Sequence, residues 1–146
     1  MNVYPIWWDT TVTIYNKIQD PQTRVVSWQR TVIPNCFWKY VGDKVTIDKT
    51  VLETDNAICR IPKSENYLDK YQWENNSRRS NYFTIGLGDI LVKGNVNDTI
   101  NEYVSGQRSS DLIAKYKKLQ GCMVVEAYSI NTGTGRGSEH YYIKGV

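Results

Sequence analysis

Two strand-like runs, Asn35–Tyr40 (Asn-Cys-Phe-Trp-Lys-Tyr) and Asn56–Pro62 (Asn-Ala-Ile-Cys-Arg-Ile-Pro), enclose a polar excursion from Gly42 to Asp55. A β-hairpin needs a connection of only about two to five residues. Chain closure grows costlier only slowly with length, so a long solvated connection is cheap and can reach a partner. The feature limits the fold to a β scaffold that presents an arm.

The flanking sequence supports that scaffold. Thr10–Tyr15 alternates Thr with Val12 and Ile14, Asp20-Pro21-Gln22-Thr23 supplies turn chemistry, and Val25–Ile33 alternates again, which predicts a first antiparallel hairpin. Pro34 is expected to end that run before Cys36–Tyr40 begins another. The segment Lys63–Ser80 is polar and reads as surface, yet Tyr67, Leu68, Tyr71 and Trp73 pin it to something. Phe83–Leu87 and Asp89–Val96 are short β runs, the second bracketed by Gly88 and Gly94 as in a tightly curved sheet.

One segment reads as helix, Ser109–Gln120. Ser109 or Ser110 can cap it, Asp111 lies in the first turn, Leu112, Ile113, Tyr116 and Leu119 form its apolar stripe, and Gly121 stops it. Met123–Ile130 and Glu139–Ile143 are then strands around the glycine-rich tip Gly133–Gly137. That tip joins two strands instead of opening a helix, so it is read as a hairpin end and not as a phosphate cradle. The expectation is a mainly β (α+β) fold. It is one domain over residues 1–146, a small antiparallel β-barrel or sandwich with a long inserted loop and one late α-helix.

Chemistry is sparse. Cys36, Cys59 and Cys122 lack metal-like spacing and read as buried, reduced thiols, His140 is the only histidine, and no pair of carboxylates stands together. No catalytic residue, cofactor or metal site is expected, and Asp89 is read as a turn or bulge residue. The N-terminus lacks the pattern of a signal peptide, and no apolar run is long enough for a membrane helix, so no membrane association is expected. The net charge of +3 is too small to announce a nucleic-acid binder by itself. Arg78, Arg79, Lys115, Lys117 and Lys118 can touch phosphates, weakly in one subunit and more strongly if symmetry multiplies them. Trp7 and Trp8, with Tyr4 and Ile6, are a large apolar load at a terminus. They fold back as an edge strand or dock on a neighbouring subunit.

Several stretches together carry a resemblance: Thr11–Lys17, Trp28–Ile33, Asn35–Tyr40, Asn56–Pro62, Gly88–Gly94 and Tyr103–Ser109. Over nearly its whole length the chain resembles a family of small phage and prophage structural proteins of Firmicutes, encoded among capsid and tail genes. More loosely, by order of elements, it resembles the head-tail joining (head completion, or stopper) proteins of tailed bacteriophages. That resemblance implies a non-enzymatic virion protein, made in the host cytoplasm, that forms a homo-oligomeric ring at the head-tail neck. Its implied partners are the portal or adaptor, tail proteins and, non-specifically, packaged DNA. Residues 42–55 become the loop inserted toward the portal or a neighbour. There Lys44, Asp48, Lys49, Glu53 and Asp55 give polar contacts, and Val45, Ile47, Val51 and Leu52 give β-pairing or burial. The late helix and the long 63–82 segment depart from the stopper pattern and leave a tail terminator or other neck protein as an alternative. A nucleic-acid-binding barrel that stacks bases on exposed Trp and Tyr is another.

Overall fold

The computed structural model describes residues 5–47, 50–132 and 139–146, with the side chains of 41–55 outside that description. Among the described residues, six antiparallel strands make up the body: β1 (Thr10–Gln19), β2 (Val26–Ile47), β3 (Thr50–Pro62), β4 (Ile90–Lys93), β5 (Cys122–Asn131) and β6 (His140–Gly145). Pairing runs β1-β2-β3-β6-β5-β4 and back to β1. The cycle is divided into two sheets that share β2 and β5 and is closer to a sandwich than to a cylinder. The expected mainly β, α+β class is the observed one.

Alternation puts Val12 and Ile14 of β1, Cys59 and Ile61 of β3, Met123 of β5, and Tyr141 and Ile143 of β6 in one interior cluster, joined by Phe83, Ile85 and Leu91. A second cluster lies on the outer face of β1, β4 and β5. There Tyr15, Ile90, Val92 and Cys122 meet Leu112 of α2 (Ser109–Lys117), with Trp28, Ile113 and Tyr116 against them. Helix α2 is therefore an outrigger, packed on the back of the sheet.

Several boundaries differ from the sequence reading. Pro34 does not end a strand: β2 runs through it, and a register shift between Thr10 and Val12 of β1 takes up Asn35, whose φ is 60°. Proline without an N–H and Asn in the left-handed region are the residues that a β-bulge accepts, and the strand bends there from one sheet into the other. Phe83–Leu87 is not a strand, and only Phe83 bridges to Tyr67. The 63–82 segment contains a short helix that periodicity did not reveal, α1 (Lys70–Glu74), and a 3₁₀ turn, Arg79–Asn81. Asp69 Oδ1 caps α1 by accepting from Gln72 N at 2.9 Å. Fully buried Trp73 anchors the segment, its indole N–H shared between the carbonyls of Arg79 and Tyr82 at 3.2 Å each.

Helix α2 ends at Lys117, before Gln120, and neither Ser109 nor Ser110 caps it. The N-cap position is Arg108, whose N–H donates to Asp111 Oδ2 at 3.1 Å, while Ser109 N donates to Glu102 Oε1 at 2.7 Å. At the other end Gln120, not Gly121, takes the left-handed conformation (φ 55°), and Gly121 N–H returns to the Tyr116 carbonyl at 3.1 Å. Leu119 lies beyond the packed face and is 74% exposed.

Candidate functional site

The excursion expected as a long loop is drawn out as paired strand. From Phe37↔Arg60 the β2–β3 ladder continues through Lys44↔Glu53, Val45↔Leu52 and Thr46↔Val51 to Ile47↔Thr50. Asp48 and Lys49, between the last paired positions, lie outside the described residues. Beyond the body each strand keeps one partner: β1 pairs with β2 only as far as Cys36, and β6 with β3 only from Ala57 to Pro62. Both outer edges of the 42–55 ribbon therefore present unpaired backbone groups among the described residues. A two-stranded ribbon on its own is marginally stable in water.

A third open edge went unseen in the sequence. On β5, strand β4 reaches only Cys122, Met123 and Val124, and the Asp89 and Gly88 backbones close on Val125, so among the described residues β5 from Glu126 to Asn131 has β6 on one side and no strand on the other. Tyr128 and Ile130 pair with the interior residues Ile143 and Tyr141, yet are 39% and 41% exposed. The sequence marks this stretch as strand, but its edge status follows from the shortness of β4, a non-local fact. Proteins usually protect such an edge with charge, Pro or a cover. Glu126, exposed at the start of this stretch, is its one charged residue.

The tryptophan pair divides its roles. Trp8 folds back to 5% exposure against Phe37 (centroids 6.4 Å apart) and edge-on to His140 (5.6 Å), as a turn and not as an edge strand. Trp7 is 68% exposed beside the yet more exposed Ile6, and Tyr4 lies outside the described residues.

The five cations do not form one patch. Lys115, Lys117 and Lys118 belong to α2 and its end, on the sheet face of Tyr15 and Trp28. Arg78 and Arg79 follow α1, in the segment held by Gln29 Nε2 through the Arg79 and Tyr82 carbonyls. Gln29 faces the opposite side from Trp28. Lys115 is already paired with Asp98 at 2.9 Å, and Arg79 lies over the Trp73 ring at 5.7 Å. Arg78, Lys117 and Lys118 are exposed.

One polar cluster sits inside the body. Asp89, fully buried, accepts from Lys17 N (3.0 Å) through Oδ1 and from Asn16 Nδ2 (2.8 Å) and Gly86 N (2.9 Å) through Oδ2. Asn16 Nδ2 also donates to the Thr84 carbonyl at 2.6 Å. Burial raises the Asp89 carboxyl above its ordinary value in spite of these bonds. With every acceptor position turned inward, Asp89 fastens the Gly86–Asp89 turn to β1, as a turn residue does. Burial likewise raises the Cys59 thiol and takes Cys122 to about 11, which leaves both poor nucleophiles. One open cleft, about 580 Å3, is lined by mixed charges: Lys17, Arg24 and Lys70 with Asp20 and Glu74. Among the described residues no three His, Cys, Asp or Glu gather as metal ligands, and no helix is long and apolar enough to cross a membrane.

No curated protein and no solved structure matches the chain. A family model does, and its match takes in the body, the ribbon, both helices and the exposed Trp7. Over residues 7–146 the chain belongs to the family described as a family of unknown function (DUF6751).

Proposed function

We propose that the protein is a non-enzymatic virion component that assembles into a ring at the head-tail junction of a tailed phage, as a stopper or head-completion protein. The observation that carries this reading is the combination on one chain of a protruding ribbon with open edges and a separate open edge on β5. A ring built head to tail needs two different complementary patches on each subunit. A ribbon that adds to a neighbouring sheet edge gains main-chain hydrogen bonds without a preformed pocket. Exposed Trp7 and Ile6 supply apolar contact area at a second place. In this reading Lys44, Val45, Ile47, Asp48, Lys49, Val51, Leu52 and Glu53 meet the portal or the neighbouring copy, and tail proteins bind the opposite rim.

The test replaces residues 44–53 with an Asn-Gly turn, a pair that favours two-residue hairpins. Complementation of a phage lacking the gene is then scored by joined particles. The reading expects filled heads and separate tails that fail to join, although the variant protein accumulates and stays soluble. Normal particle yield with the shortened ribbon would remove the ribbon from assembly.

A further inference from the structure

The outer face of the β2–β3–β6–β5 sheet carries Lys39, Arg60 and Lys144. Cross-strand register forms two adjacent rows on it, Phe37–Arg60–Tyr142–Ser129 and Lys39–Ile58–Lys144–Ala127. The opposite face holds Cys59, Ile61, Tyr141 and Ile143 in the core, so the side chains of both rows point outward. Lys39 and Lys144 are exposed, and neither they nor Arg60 forms an ion pair among the described residues. Strand spacing sets the two lysines about 10 Å apart across β3, with Arg60 in the next row between them. The Arg60 guanidinium is held over Phe37 at 5.1 Å and Tyr142 at 5.5 Å, which fixes its position without neutralising it. No acidic residue stands in either row, and Glu126 lies beyond them at the β5 bulge.

We infer that this face binds the phosphate backbone of duplex DNA without sequence preference, through Lys39, Arg60 and Lys144. Three cations without an acidic partner among the described residues, one of them held in place, complement a polyanion. Base stacking on single strands fits less well, because Arg60 occupies the Phe37 and Tyr142 rings and Trp8 packs against Phe37. Ala127 and Ser129 keep the β5 side low, so an extended rod can lie across the rows. The inference rests on the connector reading only for the origin of the DNA, and it makes this sheet the channel wall instead of the α1 or α2 cations.

Fluorescence anisotropy of a labelled mixed-sequence duplex, titrated at several low salt concentrations, tests it. Light scattering on the same samples reads the oligomeric state. Three phosphate contacts give a log–log salt slope of about −3 per subunit, which falls to about −1 in Lys39→Gln/Lys144→Gln, with binding at least about 10-fold weaker. Lys117→Gln/Lys118→Gln on the other face keeps affinity within about 2-fold. Arg60→Gln alone weakens binding and lowers the slope by about 1. Equal affinity in wild type and the Lys39/Lys144 variant, an equal loss in the α2 variant, or tighter binding of single strands would each overturn the inference. A monomer that binds through these three cations supports the face while counting against the ring. A ring whose DNA binding ignores them does the reverse.

Discussion

A methyl group on Gly145 would meet the Val124 carbonyl carbon at 2.9 Å and Met123 Cβ at 3.0 Å, with the Val124 carbonyl oxygen nearer still. Gly145 pairs with both Ala57 and Val125, where β5 and β6 shift register, so neither neighbouring strand can retreat alone. Gly145→Ala is expected to cost about 1–3 kcal/mol, read as a lower urea midpoint with an unchanged slope. Asp89 makes a pH-dependent prediction. Its native pKa lies above the unfolded value, so the stability gained from its protonation is full below the unfolded pKa and is lost as pH rises through the native one. Asp98 and Glu102 shift the other way. Hydrogen bonds from Tyr116 and Lys115 hold Asp98 down, and at Glu102 the bonds from Ser109 overcome burial, so both lose stability as pH falls. Comparison with Asp89→Asn isolates the buried group. The variant should lose about 1–3 kcal/mol, since one acceptor becomes a donor facing an N–H. The wild-type advantage should widen as pH falls from neutrality toward the ordinary carboxylate range. A constant or shrinking advantage would mean that Asp89 is not held against its charge.

Among the elements, the ribbon was the hardest to read. Lys44–Ile47 alternates as a strand does, but Gly42, Asp43, Asp48, Lys49, Glu53 and Asp55 crowd the stretch, so polarity dominates and it reads as loop. The first hairpin and α2 were legible because each has one buried face with the matching period. Helix α1 was not, being too short for a period, although the Asp69 cap was present in the sequence. Clustering of Arg78 and Arg79 with the α2 lysines could not be judged either, because it depends on which side of the sheet each segment crosses. Among the described side chains, the core members nearest the ribbon on its strands are Trp38 and Ala57. Its replacement by the Asn-Gly turn should therefore move the melting temperature by less than about 5 °C. Collapse of the thermal transition would show instead that the segment stabilises the body.

For the whole molecule, composition and turn spacing disclose a β-rich body, but closure depends on pairings distant in sequence. Strand β1 finds β4, β3 finds β6, and Asn16 reaches Asp89 across 73 positions. Those long-range contacts tie segments distant in sequence into one body, with Trp7 and the β5 residues Tyr128 and Ile130 among the exposed apolar side chains. That division is what a subunit of an assembly requires, with a rigid frame between contact elements. The central claim is incorporation into virus particles, and quantitative mass spectrometry of gradient-purified, DNA-filled particles from cells carrying the gene tests it. The account predicts the chain in the particles at a constant ring-sized ratio to the portal protein. Its absence from them, while it is plentiful in the surrounding lysate, would contradict the account.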